Sequence, residues 1–351
     1  MNEPAAEPLA VESKPAVRPA HEPPPVVGTR QLISASFDLL LRSGDQMRRA
    51  SFYVGLIVLG TAGPFALGLW GSLLTGYAFA GLGPGASDVT TGWLGLLSLL
   101  LLAGVVVASV ESTAVAIALL GGAFAGRPVT IREAVQRSRM TFWPLVVASV
   151  VVSIPTLLIQ ELIGQSTQVG LVAGLIVGTL IQAPFVYAQA GIVLGGVGPI
   201  EALKRSVRIV RARKVAALVL AILPSVYWLL ILVGFSAGVD LAIRTIDALG
   251  LGADSGPAGV ALVTVLIVMI TFALGTLLFT VTAIIYAPQA VMFVGLTRAT
   301  MGLDRVRPGG DHDVDRPASG RRPFRWMTRP MLLGFALGGV ALAGYLSTIS
   351  S

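Results

Sequence analysis

Long apolar runs, separated by short segments that hold most of the charges, dominate the pattern of this chain. A helix of about 20 apolar residues is long enough to cross the roughly 30 Å hydrocarbon core of a bilayer. The pattern predicts seven such helices, over residues 52–74, 93–120, 142–160, 169–194, 215–235, 260–294 and 331–346. The fold class is therefore predicted to be all-α, a polytopic helical membrane bundle.

The composition supports a membrane protein and narrows its chemistry. Hydrophobic residues make up 54% of the chain and charged residues only 12%, against about 25% charged residues in a soluble domain. The net charge of +7 does not indicate a nucleic-acid partner, because the basic residues lie between apolar runs rather than on a soluble domain. The absence of cysteine excludes thiolate chemistry and Cys-ligated metals.

The positions of the basic residues predict the orientation of the helices. If the N-terminus is cytoplasmic, every Lys and Arg except Arg244 falls in a cytoplasmic segment. Cytoplasmic segments of membrane proteins carry the excess of Lys and Arg. We therefore expect a multi-pass protein of the cell (plasma or inner) membrane with seven spans, its N-terminus inside and its C-terminus outside.

The same pattern divides the chain into four parts. Residues 1–28 hold seven prolines and no apolar run, as expected for a disordered cytoplasmic tail. Residues 29–305 form the predicted membrane domain of six spans. Residues 306–329 are predicted to be a charged cytoplasmic loop, and residues 330–351 an additional C-terminal transmembrane helix.

A short motif occurs three times, before the first, third and fifth predicted spans. The copies are DLLLRS at 38–43, EAVQRS at 133–138 and EALKRS at 201–206. Helical spacing separates apolar from charged positions in each copy, which predicts three cytoplasmic amphipathic helices lying at the membrane interface. The apolar positions are Ile33, Phe37, Leu40 and Leu41 in the first copy, Ile131, Val135, Ser138 and Phe142 in the second, and Ile200, Leu203, Val207 and Val210 in the third.

The residue types within the motif suggest specific contacts. Glu133 and Glu201 can each pair with the Arg four positions later, and the final Ser is small enough for close helix packing. One interpretation is that the basic residues only anchor and orient the helices. The other is that they bind anionic lipid headgroups or the acidic surface of a partner protein. The candidate residues are Arg42, Arg137, Lys204, Arg205, Arg208 and Arg211.

One ionisable residue lies inside a predicted span. Glu111 is about 7 Å from the middle of the second span by helix rise, where a carboxyl group must be paired or protonated. It either fixes helix packing or forms a proton or substrate site. Gln182, in the fourth span, is the second intramembrane candidate, and Ser112, Thr113, Tyr187, Gln189 and Tyr286 are further candidate partners of Glu111.

Three segments together carry a resemblance to a known family. They are GPIEALKRSVRIVRARKVAALVLAIL, VTIREAVQRSRMTFWPLVVASVVVSIP and YAPQAVMFVGLTRATMGLDR. Residues 30–305 resemble the membrane domain of bacterial glycerophosphoryl diester phosphodiesterases and related uncharacterised six-helix bacterial membrane proteins. The resemblance implies a non-catalytic membrane domain. The proline-rich tail and the seventh helix depart from that family.

The sequence offers no catalytic set. The two histidines, His21 in the tail and His312 in the charged loop, cannot build a phosphodiesterase centre, and no phosphate-binding GxxxxGK[ST] loop is present. We therefore expect no enzyme activity, cofactor or metal. The first hypothesis is a scaffold or accessory subunit that organises lipids or a partner enzyme, such as a hydrolase or an ATPase, at the cytoplasmic face. The second is a transporter of a lipid-like or small amphiphilic substrate, based on Glu111 and the proline-containing spans.

Overall fold

The structure is a computed structural model that describes residues 28–69, 84–163, 168–212, 214–224, 244, 248, 256–302 and 305–309. These residues form an all-helical bundle. The ten helices that we number are α1 Thr29–Arg42, α2 Gly44–Thr61, α3 Gly63–Leu69, α4 Pro84–Phe124, α5 Ile131–Ile163, α6 Gln168–Gln182, α7 Ala188–Gly195, α8 Pro199–Ala212, α9 Lys214–Pro224 and α10 Gly256–Met301. The N-terminal tail, most of the fifth predicted span, nearly all of the charged loop and the seventh span lie outside the described residues.

The helices have the length and composition of a membrane bundle. Within the described part, four segments can cross a membrane: Gly95–Phe124, Ile131–Pro155, Ile176–Gly195 and Thr264–Thr300. Helices α2 and α3 form a fifth candidate that is bent by 46°. These five segments overlap five of the predicted spans. The structure therefore confirms an all-helical bundle with four or five membrane-spanning candidates.

Four helix ends meet at one end of the bundle. The short connection 125–130 brings the C-terminus of α4 to the N-terminus of α5, and residues 305–309 fold back from α10 onto the same region. The amide of Arg307 donates a 2.7 Å hydrogen bond to the carbonyl of Leu194 near the end of α7. Pro308 packs beside Gly122 of α4, and Gly309 beside the carbonyl of Glu133 in α5. We call this region the closed end.

Exposed apolar side chains mark the opposite part of the long helices. They lie at 96–106 on α4, 143–158 on α5, 176–180 on α6 and 262–277 on α10. Towards the closed end, the described parts of these four helices carry no large exposed apolar side chain, and residues 114–120 of α4 are completely buried. We call the exposed set the apolar belt. It is the surface that lipid chains would cover.

Helices α4 and α10 are longer than a bilayer requires. Their 41 and 46 residues correspond to about 60 and 70 Å of helix, roughly twice the hydrocarbon thickness. The belt occupies only one part of each helix. Beyond the belt, residues 107–124 of α4 and 281–298 of α10 are buried or half-buried and form the interior towards the closed end.

Small residues allow the membrane helices to approach closely. A Cβ atom on Gly275 of α10 would lie 2.8 Å from the Cα atom of Gly55 in α2. A Cβ atom on Gly104 of α4 would collide with the backbone carbonyl of Thr61 at the end of α2. Such backbone contacts are typical of glycine-mediated packing in membrane proteins. They fix α2 against both long helices.

The second motif copy is not a separate interfacial helix. Residues 131–163 form one continuous helix, α5, in which Val135, Ser138 and Phe142 are buried inside the protein. The expectation that this apolar face rests on lipid is therefore wrong, because the protein itself covers these three side chains. The first copy agrees better with the expectation, since Phe37 and Leu41 of α1 are exposed.

Candidate functional site

A break in the fourth span provides the attachment point of helix α8. Helix α6 ends at Gln182, a 3-10 turn follows at Ala183–Phe185, and α7 starts at Ala188. Pro184 lacks an amide hydrogen and interrupts the helical hydrogen bonds. The hydroxyl of Ser206 in α8 donates to the carbonyl of Pro184 at 2.8 Å and accepts from the amide of Tyr187 at 3.1 Å. The serine therefore provides a hydrogen-bond partner for one backbone amide and one backbone carbonyl that the break leaves without a helical partner. Backbone polar groups inside a membrane need such a partner.

The final serine of the motif is buried in all three copies. Ser43, Ser138 and Ser206 are between 1% and 8% exposed. The second residue of each copy is also buried, and the three are Leu39, Ala134 and Ala202. Positions two and six lie four residues apart and therefore share one helix face. The repeated feature of the motif is this inward stripe, which attaches each helix to the bundle.

The acidic residue of the motif has different roles in the second and third copies. The carboxylate of Glu201 accepts from Arg205 at 2.9 Å, which confirms the predicted pair one helical turn apart. Glu133 instead accepts the amide of Thr130 at 2.6 Å, while the hydroxyl of Thr130 accepts the amide of Glu133. This reciprocal arrangement is a capping box, and it fixes the start of α5.

Arg137 is a structural residue in the closed end. The sequence predicts it at the interface, but its side chain is only 3% exposed, and its Nε atom donates a 2.7 Å hydrogen bond to the carbonyl of Val193. Val193 lies in the last turn of α7, where the partial negative charge of the helix favours a cation. The expectation of an interfacial Arg137 is therefore corrected.

Glu111 is buried beside a cation that the sequence analysis assigned to a cytoplasmic segment. It is 2% exposed on α4, and the guanidinium of Arg139 on α5 interacts electrostatically with it. Glu111 lies five residues, or about 7 Å, beyond Val106 at the edge of the apolar belt. The carboxyl group therefore faces the packed interior of the closed end rather than the centre of the belt. This position favours the alternative in which Glu111 fixes helix packing over the one in which it forms a proton or substrate site.

Other polar side chains extend this interior. The hydroxyl of Tyr286 on α10 shares hydrogen bonds with the side chains of Thr113 and Gln189, so the structure brings together three of the candidate polar residues. Gln289, one turn further along α10, is also buried. Gln182 is half-buried in the last turn of α6, before the break. The polar interior thus joins α4, α7 and α10.

Helix α8 presents its cations on the outside. Lys204, Arg208 and Arg211 are exposed, and Arg205 is partly exposed beside Glu201. Ile200, at the start of the helix, is 67% exposed. On α1, Arg42 is exposed and follows the exposed Leu41. Five of the six predicted interfacial residues therefore lie on the surface, and four of these belong to one helix.

Two important residues were not recognised from the sequence as parts of these sites. Arg139 was counted only as a cytoplasmic charge, although its place on the same helix as a predicted span could have suggested Glu111 as its partner. Ser206 was recognised as small, but its partners depend on where the fourth span breaks. Pro184 was the available signal for that break.

Ser206→Ala is expected to destabilise the protein by about 1–3 kcal/mol, because two backbone groups at the break would lose their partner. Ser109→Ala is the matched control. The hydrogen bond described for the Ser109 hydroxyl goes to the carbonyl of Val105 in the same helix, so its loss leaves the contact between two helices intact. Thermal unfolding in detergent, followed by circular dichroism, measures both. Equal transition temperatures for the two variants would contradict the proposed role of Ser206.

Comparison of the chain with protein-family models, curated proteins and solved structures finds no match in any of the three.

Proposed function

We propose that this protein is a non-catalytic integral membrane protein that acts as a scaffold or accessory subunit at the cytoplasmic face. The observation that carries the proposal is the surface of α8. Its three exposed cations, Lys204, Arg208 and Arg211, project from a helix whose opposite face is fixed to the bundle through Ser206. A rigidly held basic surface suits the binding of anionic groups from lipids or from a partner hydrolase or ATPase.

The orientation is part of this proposal. We place the closed end, together with α8, on the cytoplasmic side, because this arrangement puts the basic segments inside. It also places Trp143, which is exposed at the edge of the belt, at a membrane interface. Tryptophan is enriched at that depth. The proposed topology has seven spans, an inner N-terminus and an outer C-terminus.

The packed polar interior supports a scaffold more than a transporter. Glu111 interacts electrostatically with Arg139 of a neighbouring helix, and the hydroxyl of Tyr286 shares hydrogen bonds with Thr113 and Gln189. These contacts tie α4, α5, α7 and α10 together. Such ties stabilise one arrangement of helices, whereas alternating access requires helices that move past a binding site. We further propose that the chain is a relative of the phosphodiesterase membrane domain that its motifs resemble.

Charge reversal on α8 tests the proposal. Extraction of the full chain in native lipid discs is expected to co-purify a protein or an enriched anionic lipid, as measured by mass spectrometry. The triple variant Arg205→Glu, Arg208→Glu, Arg211→Glu is expected to reduce that component at least tenfold, because the attraction to anionic groups becomes repulsion.

The control reverses three exposed cations on other helices, Arg30, Arg48 and Arg132. This variant is expected to retain the component within twofold. Loss from both variants to the same extent would indicate a general charge effect and would refute α8 as the binding surface. Retention by the α8 variant would refute the proposed function itself.

A further inference from the structure

Six exposed residues form a row in chain order, three on α8 and three on α9. It consists of three cations followed by three apolar residues: Lys204, Arg208, Arg211, Val215, Leu218 and Ile222. Spacings of four and three on α8, and of three and four on α9, keep each set of three on one face of its own helix. All six are exposed, and Val215 reaches 70%. We call this set the α8–α9 row.

The row changes from cations to apolar residues at the edge of the apolar belt. Val215, Leu218 and Ile222 belong to the exposed apolar surface, and the neighbouring α6 shows its last exposed apolar residue at Leu180. The break that follows Leu180 is where Ser206 attaches α8. The cations therefore lie just beyond the belt, at the depth where lipid phosphates are found.

The cations of the row are available to a ligand. Glu201, the acidic residue of α8, is already paired with Arg205 at 2.9 Å. Lys204, Arg208 and Arg211 have no ion pair within the part of the chain that the structure describes. Each half of the row is about 10 Å long by helix rise. The opposite side of α8 is held in place, because Ala202 and Ser206 are buried.

We propose that the α8–α9 row is a binding site for one anionic phospholipid. Its phosphate contacts Arg208 and Arg211, and its acyl chain lies along Val215, Leu218 and Ile222. A free phosphate would leave the apolar half of the row uncovered. An acidic protein segment would gain little binding energy from contact with these apolar residues. Among these ligands, only a phospholipid joins a negative headgroup directly to an apolar chain, in the same order as the cations and the apolar residues of the row. This inference rests on the proposed function, because it assigns a ligand to the same face of α8.

The test measures lipid affinity of the intact purified chain by native mass spectrometry. The probes are phosphatidylglycerol, phosphatidylcholine of the same chain length, and soluble glycerol phosphate. We expect phosphatidylglycerol to bind at least tenfold more tightly than either of the others. The double variant Arg208→Gln, Arg211→Gln should weaken phosphatidylglycerol binding about 25-fold, at roughly fivefold per charge.

The control removes two exposed cations elsewhere, Arg48→Gln and Arg132→Gln, and should change the affinity less than twofold. Circular dichroism verifies that both variants are folded. Equal affinity for the two phospholipids, or equal weakening in both variants, would overturn the lipid site. Equally tight binding of glycerol phosphate would also overturn it, because the ligand would then be a soluble phosphate.

A third outcome separates this inference from the proposed function. If the Arg208→Gln, Arg211→Gln variant loses a co-purifying protein but keeps its affinity for phosphatidylglycerol, the row docks a protein. The lipid inference then fails and the accessory function stands. If the variant loses neither lipid nor protein, both fail.

Discussion

Gly104→Leu is expected to abolish the native packing of α2 against α4, with a loss of at least about 3 kcal/mol of stability. A Cβ atom at this position collides with the backbone carbonyl of Thr61. A backbone group cannot move aside as a flexible side chain can, so the two helices must separate. Unfolding in mixed micelles with increasing SDS, followed by circular dichroism, measures the loss.

Gly95→Leu is the matched control for this prediction. It lies on the same helix and receives the same side chain, but a Cβ atom there meets nothing within 4 Å. Both variants gain equal helix propensity. Gly95→Leu should therefore be as stable as the natural protein or slightly more stable. If Gly104→Leu behaves in the same way, the close approach of α2 and α4 is not part of the fold.

The sequence predicts the class of this fold well because one physical requirement dominates it. Every backbone polar group within a bilayer needs an internal partner, so an apolar run of 20 residues must be a helix. Four of the predicted spans overlap single helices that are apolar and long enough to cross, and a fifth overlaps the bent pair of α2 and α3. The exposed charges of α8 were also predicted, because they follow helical spacing. Its buried residues, Ala202 and Ser206, do not belong to the predicted apolar face, of which Ile200 is exposed and the other three residues are half-buried.

The ends of the helices were less predictable. The second span was predicted over 93–120, but α4 extends over 84–124, and the exposed large apolar side chains described on it lie at 96–106. Hydropathy cannot distinguish an alanine covered by lipid from one covered by another helix. Residues 114–120, which are completely buried in the closed end, are as apolar as the belt. Hydropathy alone therefore could not show that Glu111 is covered by protein rather than by lipid.

The candidate site was predicted only where a single helix determines it. Lys204, Arg208 and Arg211 are exposed as expected, because the helix pattern alone places them opposite Ser206. The contacts of Ser206 with Pro184 and Tyr187 depend on a break about 20 residues earlier in the chain. The partnership of Glu111 with Arg139 joins two helices. Periodicity within one helix contains no information about such contacts.

Substitution of Arg137 is expected to have the second large effect on stability. The position of this arginine also shows that similar copies of the motif have different structural roles. The arginine of EALKRS stays near the surface beside Glu201, whereas the arginine of EAVQRS is buried against α7. Arg137→Met is expected to cost about 3 kcal/mol, because the carbonyl of Val193 loses a charged donor inside the protein. The last turn of α7 also loses a favourable positive charge.

Arg208→Met is the control for Arg137→Met, since it removes an exposed arginine with the same change in side chain. It should alter stability by less than about 0.5 kcal/mol. Arg137→Lys should be intermediate, because it retains the charge but not the guanidinium that donates to Val193. Thermal unfolding in detergent orders the three variants. If Arg137→Met unfolds together with Arg208→Met, the buried guanidinium does not hold α5 to α7, and the two motif copies are equivalent after all.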